Sequence, residues 1–133
     1  MVIDTSALLA IAYSETGHQE FERAIDTDAT RLFSTASALE AAIVMTSRAG
    51  ASDAQLMLGE LDRLTASLGL TIESVTPSQV ALAREAYLRF GKGRHPAGLN
   101  FGDCFVYALA KDSGEPLLFK GDDFRHTDIE PCL

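Results

Sequence analysis

Residues 1–8, MVIDTSAL, join a short apolar run to an acid, Asp4, and pass at once into residues that start a helix. A buried strand that ends in a carboxylate costs free energy unless a cation or hydrogen-bond donors meet the charge. The same alternation of brief apolar runs and longer helical stretches continues along the chain. Strands are expected at 1–4, 31–34, 70–74 and 116–119, with a short fifth at 127–130. Helices are expected at 6–13, 18–25, 35–48, 52–68, 77–90 and 100–111, with Gly50 and Gly69 as stops and Pro77 in a first turn. Strands alternating with helices imply an α/β fold whose mostly parallel sheet is covered on both faces. Ligands in such folds bind beyond the carboxyl ends of the strands, near a topological switch point. Asp4 and Asp122, each following a strand, are expected on that edge.

The 133 residues suit one domain spanning 1–133, with no repeat, linker or low-complexity tract inside it. Hydrophobic residues at 47% and charged residues at 23% place the chain among ordinary globular proteins. Eleven Lys and Arg against 19 Asp and Glu leave a net charge of −8, the wrong sign for gripping nucleic acid by bulk electrostatics. That argues against a DNA-coating protein but leaves a nuclease that relies on a local basic patch, bound metal or a basic partner. Cys104 and Cys132 have no zinc spacing, and Cys104 reads as a small core residue. Without a signal peptide or an apolar run of about 18 residues, a soluble, cytoplasmic, reducing location is expected, with no membrane contact.

Four acids stand in odd settings. Asp4 reads equally as an N-cap and as a metal ligand. Glu40 lies alone in the apolar run ALEAAIVM, where it either completes a capping box with Ser37 or serves a site, depending on whether the helix starts at Ser37 or one turn earlier at Ser34 or Thr35. Asp103, in LNFGDCFVYALAK, follows an N-cap candidate, Asn100, by three residues and would suit a helix dipole. Gly102 beside it costs the helix about 1 kcal/mol and suggests that something approaches the backbone closely. Asp122 and Asp123, in LLFKGDDF, form an ordinary turn, and only their place after a strand raises them, Asp122 being favoured. Crowded carboxylates repel and drift toward protonation unless cations resolve the repulsion. Mg²⁺ or Mn²⁺, which prefer carboxylate and water oxygens, would do so and would suit phosphodiester hydrolysis.

MVIDTSAL, STASALEAAIV (34–44), LNFGDCFVYALAK (99–111) and LLFKGDDF (117–124), in that order, resemble the PIN-domain ribonucleases. More narrowly, the chain is similar to the VapC-type toxins of bacterial toxin–antitoxin pairs, essentially end to end. The resemblance implies a three-layer α/β/α sandwich with a central parallel sheet of four to five strands. It implies an acidic Mg²⁺ or Mn²⁺ pocket of Asp4, Glu40, Asp103 and Asp122, supported by the hydroxyls of Thr5 or Ser6. The fourth match is loosest, because the spacing to the following Phe varies and Asp123 could take the role. Endoribonuclease action on structured RNA such as transfer or ribosomal RNA is implied, as are a homodimer and a cognate VapB-type antitoxin docked over the active-site groove.

The basic, glycine-rich segment 90–100 leads into the Asp103 helix, so Lys92 and Arg94 are expected to contact substrate phosphates unless the segment is only a solvated connector. Lys120, Arg125 and His126 could extend that patch, and no histidine is assigned to metal. The competing reading is a catalytically silent module of the same fold, acting through its antitoxin or another protein. Receiver and haloacid-dehalogenase domains fit poorly: the first need paired acids after strand one, and the second an Asp at position 6, where Ser6 stands.

Overall fold

Val2 and Ile3 form β1, and both are fully buried because each faces a different apolar layer. The structure, a computed structural model, describes residues 1–133. After β1 come α1 (Thr5–Ala12), α2 (His18–Thr27), β2 (Leu32–Ser34), α3 (Thr35–Ala49), α4 (Ala54–Ser67), β3 (Thr71–Glu73), α5 (Pro77–Phe90), α6 (Phe101–Ser113) and β4 (Leu117–Leu118), then a 3-10 turn, Asp123–His126. The strands are all parallel, in the order β3-β2-β1-β4. Val2 is in register with Leu32 on one side and Leu117 on the other. The direction of winding therefore reverses between β1 and β4, which makes that pair the switch point.

Two cores flank the sheet. Val2 and Leu117 join Ala86, Phe90, Leu99, Tyr107 and Leu109 beneath α5 and α6. Ile3, Phe33 and Leu118 join Leu8, Ile25, Ala41 and Leu61 beneath α1 to α4. Successive strand residues thus serve opposite faces, the period-two rule of β structure, and the result is the expected three-layer sandwich. Phe33 is fully buried in the second core. Truncating such a side chain to Ala typically costs about 3–5 kcal/mol.

The sheet has four strands, and the expected fifth at 127–130 is not one of them. The chain there is held by a single parallel bridge from Pro131 to Leu117, flanked by the Leu117 amide donating to Glu130 and the Cys132 amide donating to Leu117. Pro131 has no amide with which to extend a ladder. No helix is long and apolar enough to cross a membrane.

Candidate active site

β1 delivers Asp4 to the switch point, where it caps α1. Its Oδ2 accepts from the Ser6 amide at 2.9 Å and from the Ser6 hydroxyl. Desolvation pushes the buried Asp4 carboxyl above its ordinary range; the Ser6 hydrogen bonds oppose this and the charge of Glu40 adds to it. The Ser6 hydroxyl also accepts from the Lys120 amide at 2.9 Å, latching the chain that leaves β4 onto α1.

On the neighbouring strand, Ser34 is the cap of α3, accepting from the Ala36 amide at 3.1 Å. That earlier start leaves Glu40 out of any capping box with Ser37. Its Oε2 accepts instead from the Thr5 hydroxyl at 2.6 Å. Asp103 does cap: the Asn100 amide donates to its Oδ2 at 2.7 Å and its own amide donates to Asn100 Oδ1 at 3.1 Å. Burial raises the Asp103 carboxyl to about 6, opposed by the Asn100 amide and reinforced by the charges of Asp4, Glu40 and Asp123. The same burial, with the charge of Asp103 behind it, pushes the neighbouring Cys104 thiol up to about 11, as suits a core residue.

Gly102 belongs to this cluster. A Cβ there would stand 2.7 Å from Glu40 Oε1 and 3.0 Å from Oε2, so the close approach foreshadowed by a glycine in the first turn is that of the Glu40 carboxylate. Asp4, Glu40 and Asp103 each give one oxygen to a protein donor, and none of the other three oxygens accepts a hydrogen bond from the chain. No lysine or arginine is among the groups that shift Asp4 or Asp103. Hydrogen bonds from Ser6 and the Asn100 amide offset that repulsion only in part. The side chains do not converge into a ready-made ligand group of three. Hard cations that keep several waters need only one or two carboxylates, so this donor set fits Mg²⁺ or Mn²⁺.

At the fourth position both candidates, Asp122 and Asp123, are exposed. The Asp122 side chain is 85% exposed and faces Arg125 Nε at 3.7 Å, whereas Asp123 is the acid whose charge reaches Asp103. Asp122 sits just before the 3-10 turn and Asp123 begins it.

Among the basic residues, Lys92 and Arg94 are exposed and form no ion pair, Arg94 lying 5.8 Å from the centre of the Tyr87 ring. Lys120 is paired with Glu15, and Arg125 with Asp122. The structure does not join these two to a free patch. One feature escaped the sequence reading: an apolar groove of about 730 Å³ between α5 and α6, lined by Val80, Tyr87, Leu88, Lys92, Phe101 and Phe105. Phe101 is 80% exposed there, stacked edge-on against Phe105. The i, i+4 spacing of these two phenylalanines, off the core face of α6, was the available signal.

Residues 1–130 match the family model of the PIN domain. The chain is 51% identical over 129 residues to ribonuclease VapC30 of Mycobacterium tuberculosis, an alignment that covers 97% of this chain and 95% of that one. Among solved structures, Mycobacterium tuberculosis VapC20, described as a sarcin-ricin loop cleaving toxin, superposes with a TM-score of 0.74 at 16% identity, covering 96% and 95% of the two chains. A chain of a toxin–antitoxin complex from Klebsiella pneumoniae gives 0.68 at 14% identity, covering 96% and 92%. At those identities the structural likeness is one of fold.

Proposed function

The chain belongs to the PIN-domain family, among the VapC ribonucleases, and from that premise we propose that it is an endoribonuclease toxin of a toxin–antitoxin pair, dependent on Mg²⁺ or Mn²⁺. Its substrate is structured RNA of the transfer or ribosomal class, and its reaction is hydrolysis of a phosphodiester bond. The observation that carries the reading is three mutually repelling carboxylates, each with an open oxygen and none with a basic partner.

Asp4, Glu40 and Asp103 would hold the cation, with Asp123, whose charge reaches Asp103, or Asp122 as a fourth acid. When bound, the cation lowers the pKa of the attacking water and stabilises charge on the phosphate. The chain's own part is orientation. Ser6 fixes one oxygen of Asp4, Thr5 one of Glu40, and the Asn100 amide one of Asp103, so each open oxygen is presented in a set direction. Lys92, which lines the α5–α6 groove with Asn100 and Phe101, would contact a substrate phosphate. The protein acts in the cytoplasm as a homodimer and is silenced by a VapB-type antitoxin. Exposed Leu39, Ile43, Leu56, Leu88 and Phe101 supply apolar surface of the kind such partners cover.

The test is incubation of total cellular RNA with the purified protein and Mn²⁺ or Mg²⁺, beside EDTA and an Asp103→Asn control. Discrete, metal-dependent fragments missing from both controls are expected. The alternative is a silent module of the same fold acting through its antitoxin. Intact RNA from folded protein that still binds the antitoxin would establish that instead.

A further inference from the structure

Most glycines of this chain that fall outside helices have positive φ and owe their identity to backbone conformation. Gly102 does not. It lies in the first turn of α6 without positive φ, where glycine is a poorer helix former than alanine. Gly59, inside α4, shares that cost, but a Cβ there would meet nothing nearer than Arg63 Nη2 at 4.0 Å. A Cβ on Gly102 would instead run into all three atoms of the Glu40 carboxylate, at 2.7–3.0 Å. The same carboxylate accepts from Thr5 Oγ1 at 2.6 Å through Oε2, so a shift of the head group away from position 102 works against that hydrogen bond.

We propose that Gly102 is a positioning residue: its bare Cα and the Thr5 hydroxyl form the seat of the Glu40 carboxylate and set its distance from Asp103. The inference rests on the metal-site reading above. It extends that reading by assigning to a residue with no functional group the spacing of two acids carried on different helices. A methyl at position 102 displaces Glu40, loosens it from Thr5 and spoils the joint grip of Glu40 and Asp103 on a divalent ion, although α6 itself gains helix propensity.

The test is a double-mutant cycle on the full chain, read by calorimetric titration with Mn²⁺ alone and by melting in EDTA. Gly102→Ala is expected to weaken Mn²⁺ binding by about 10-fold or more, the usual scale for residues that orient metal ligands. In a Glu40→Asp background, where the carboxylate is withdrawn by one methylene, the same change should leave affinity where Glu40→Asp alone put it. Melting adds a metal-free arm. Gly102→Ala should raise the melting temperature in a Glu40→Ala background as much as Gly59→Ala does in the parent, but not when Glu40 is intact. Equal effects of Gly102→Ala in all backgrounds, on either readout, would overturn the proposal. If the parent protein binds no Mn²⁺, the metal reading falls and the melting cycle alone decides whether Gly102 seats Glu40.

Discussion

Thr5 donates its hydroxyl to Glu40 across 35 positions of sequence, at 2.6 Å, and so ties the first turn of α1 to α3 at the carboxyl edge of the sheet. Glu40 has no other protein donor, and Thr5 is buried. Replacing Thr5 by Val keeps the shape and removes the hydroxyl. The expected result is a loss of about 1 kcal/mol in stability and a marked fall in RNA cleavage at limiting Mn²⁺. Thr5→Ser should restore both. Melting curves and a Mn²⁺ titration of cleavage rate check this.

Asp103 makes the metal-free protein sensitive to pH. Its carboxyl titrates at about 6 in the folded chain against an ordinary 3.8, so folding takes up a proton between those values. Stability therefore falls as pH rises through 6 and is recovered on the way down toward 4. That difference corresponds to roughly 3 kcal/mol, which partial solvent contact reduces to about 1–2. Asp4, raised by burial, acts in the same direction. Asp128 opposes it at lower pH: although burial raises it, hydrogen bonds from Tyr107, Lys111 and Arg89 hold it below its usual range, so its contribution is lost on acidification past that range. In EDTA the melting temperature should be higher near pH 5 than at pH 7.5, and Asp103→Asn should flatten the difference. Saturating Mg²⁺ should reverse the order, because the cation displaces the proton.

The two adjacent acids after β4 should separate cleanly. Asp123→Asn is expected to lower cleavage by an order of magnitude and, by removing a negative charge, to lower the Asp103 pKa in the metal-free protein. Asp122→Asn should leave both nearly unchanged, since that side chain faces Arg125 and solvent. Rates from the two variants, with Asp103 followed by NMR, decide it; equal losses would return Asp122 to the site.

Neutralising Lys92 and Arg94 together should weaken RNA binding and reduce the slope of log affinity against log salt by about 1–2, with melting unaffected. The same treatment of Lys120 and Arg125 should change the slope little, because Glu15 and Asp122 already pair with them. A binding titration at several salt concentrations measures both. An unchanged slope in the first variant would remove that loop from the RNA interface.

Much of this was legible in the chain because the signals are local. Apolar runs such as those at β1 and β4 are buried on both faces, so alternation with helices predicts a parallel sheet and places Asp4 at its carboxyl edge. The Asn100–Asp103 spacing allowed a cap as the alternative to a functional role, and the structure has that capping box. The misplaced fifth strand is also instructive: apolar Ile129 suggested β structure, but Pro131 limits the contact with β4 to one bridge.

What the sequence determined by itself was the order of the main strands and helices, the parallel character of the sheet and the set of acids available to its functional edge, because periodicity, caps and turn residues act within a few positions. Only the tertiary structure decided which partner each acid meets. Glu40 lies against Gly102 and Thr5, residues on two other helices, and nothing in its own helix specifies that approach. Likewise, whether Asp122 or Asp123 joins the group depends on a 3-10 turn in which one residue rotates a side chain by about 120°. Long-range packing, which sets such rotations, leaves no local trace in the sequence.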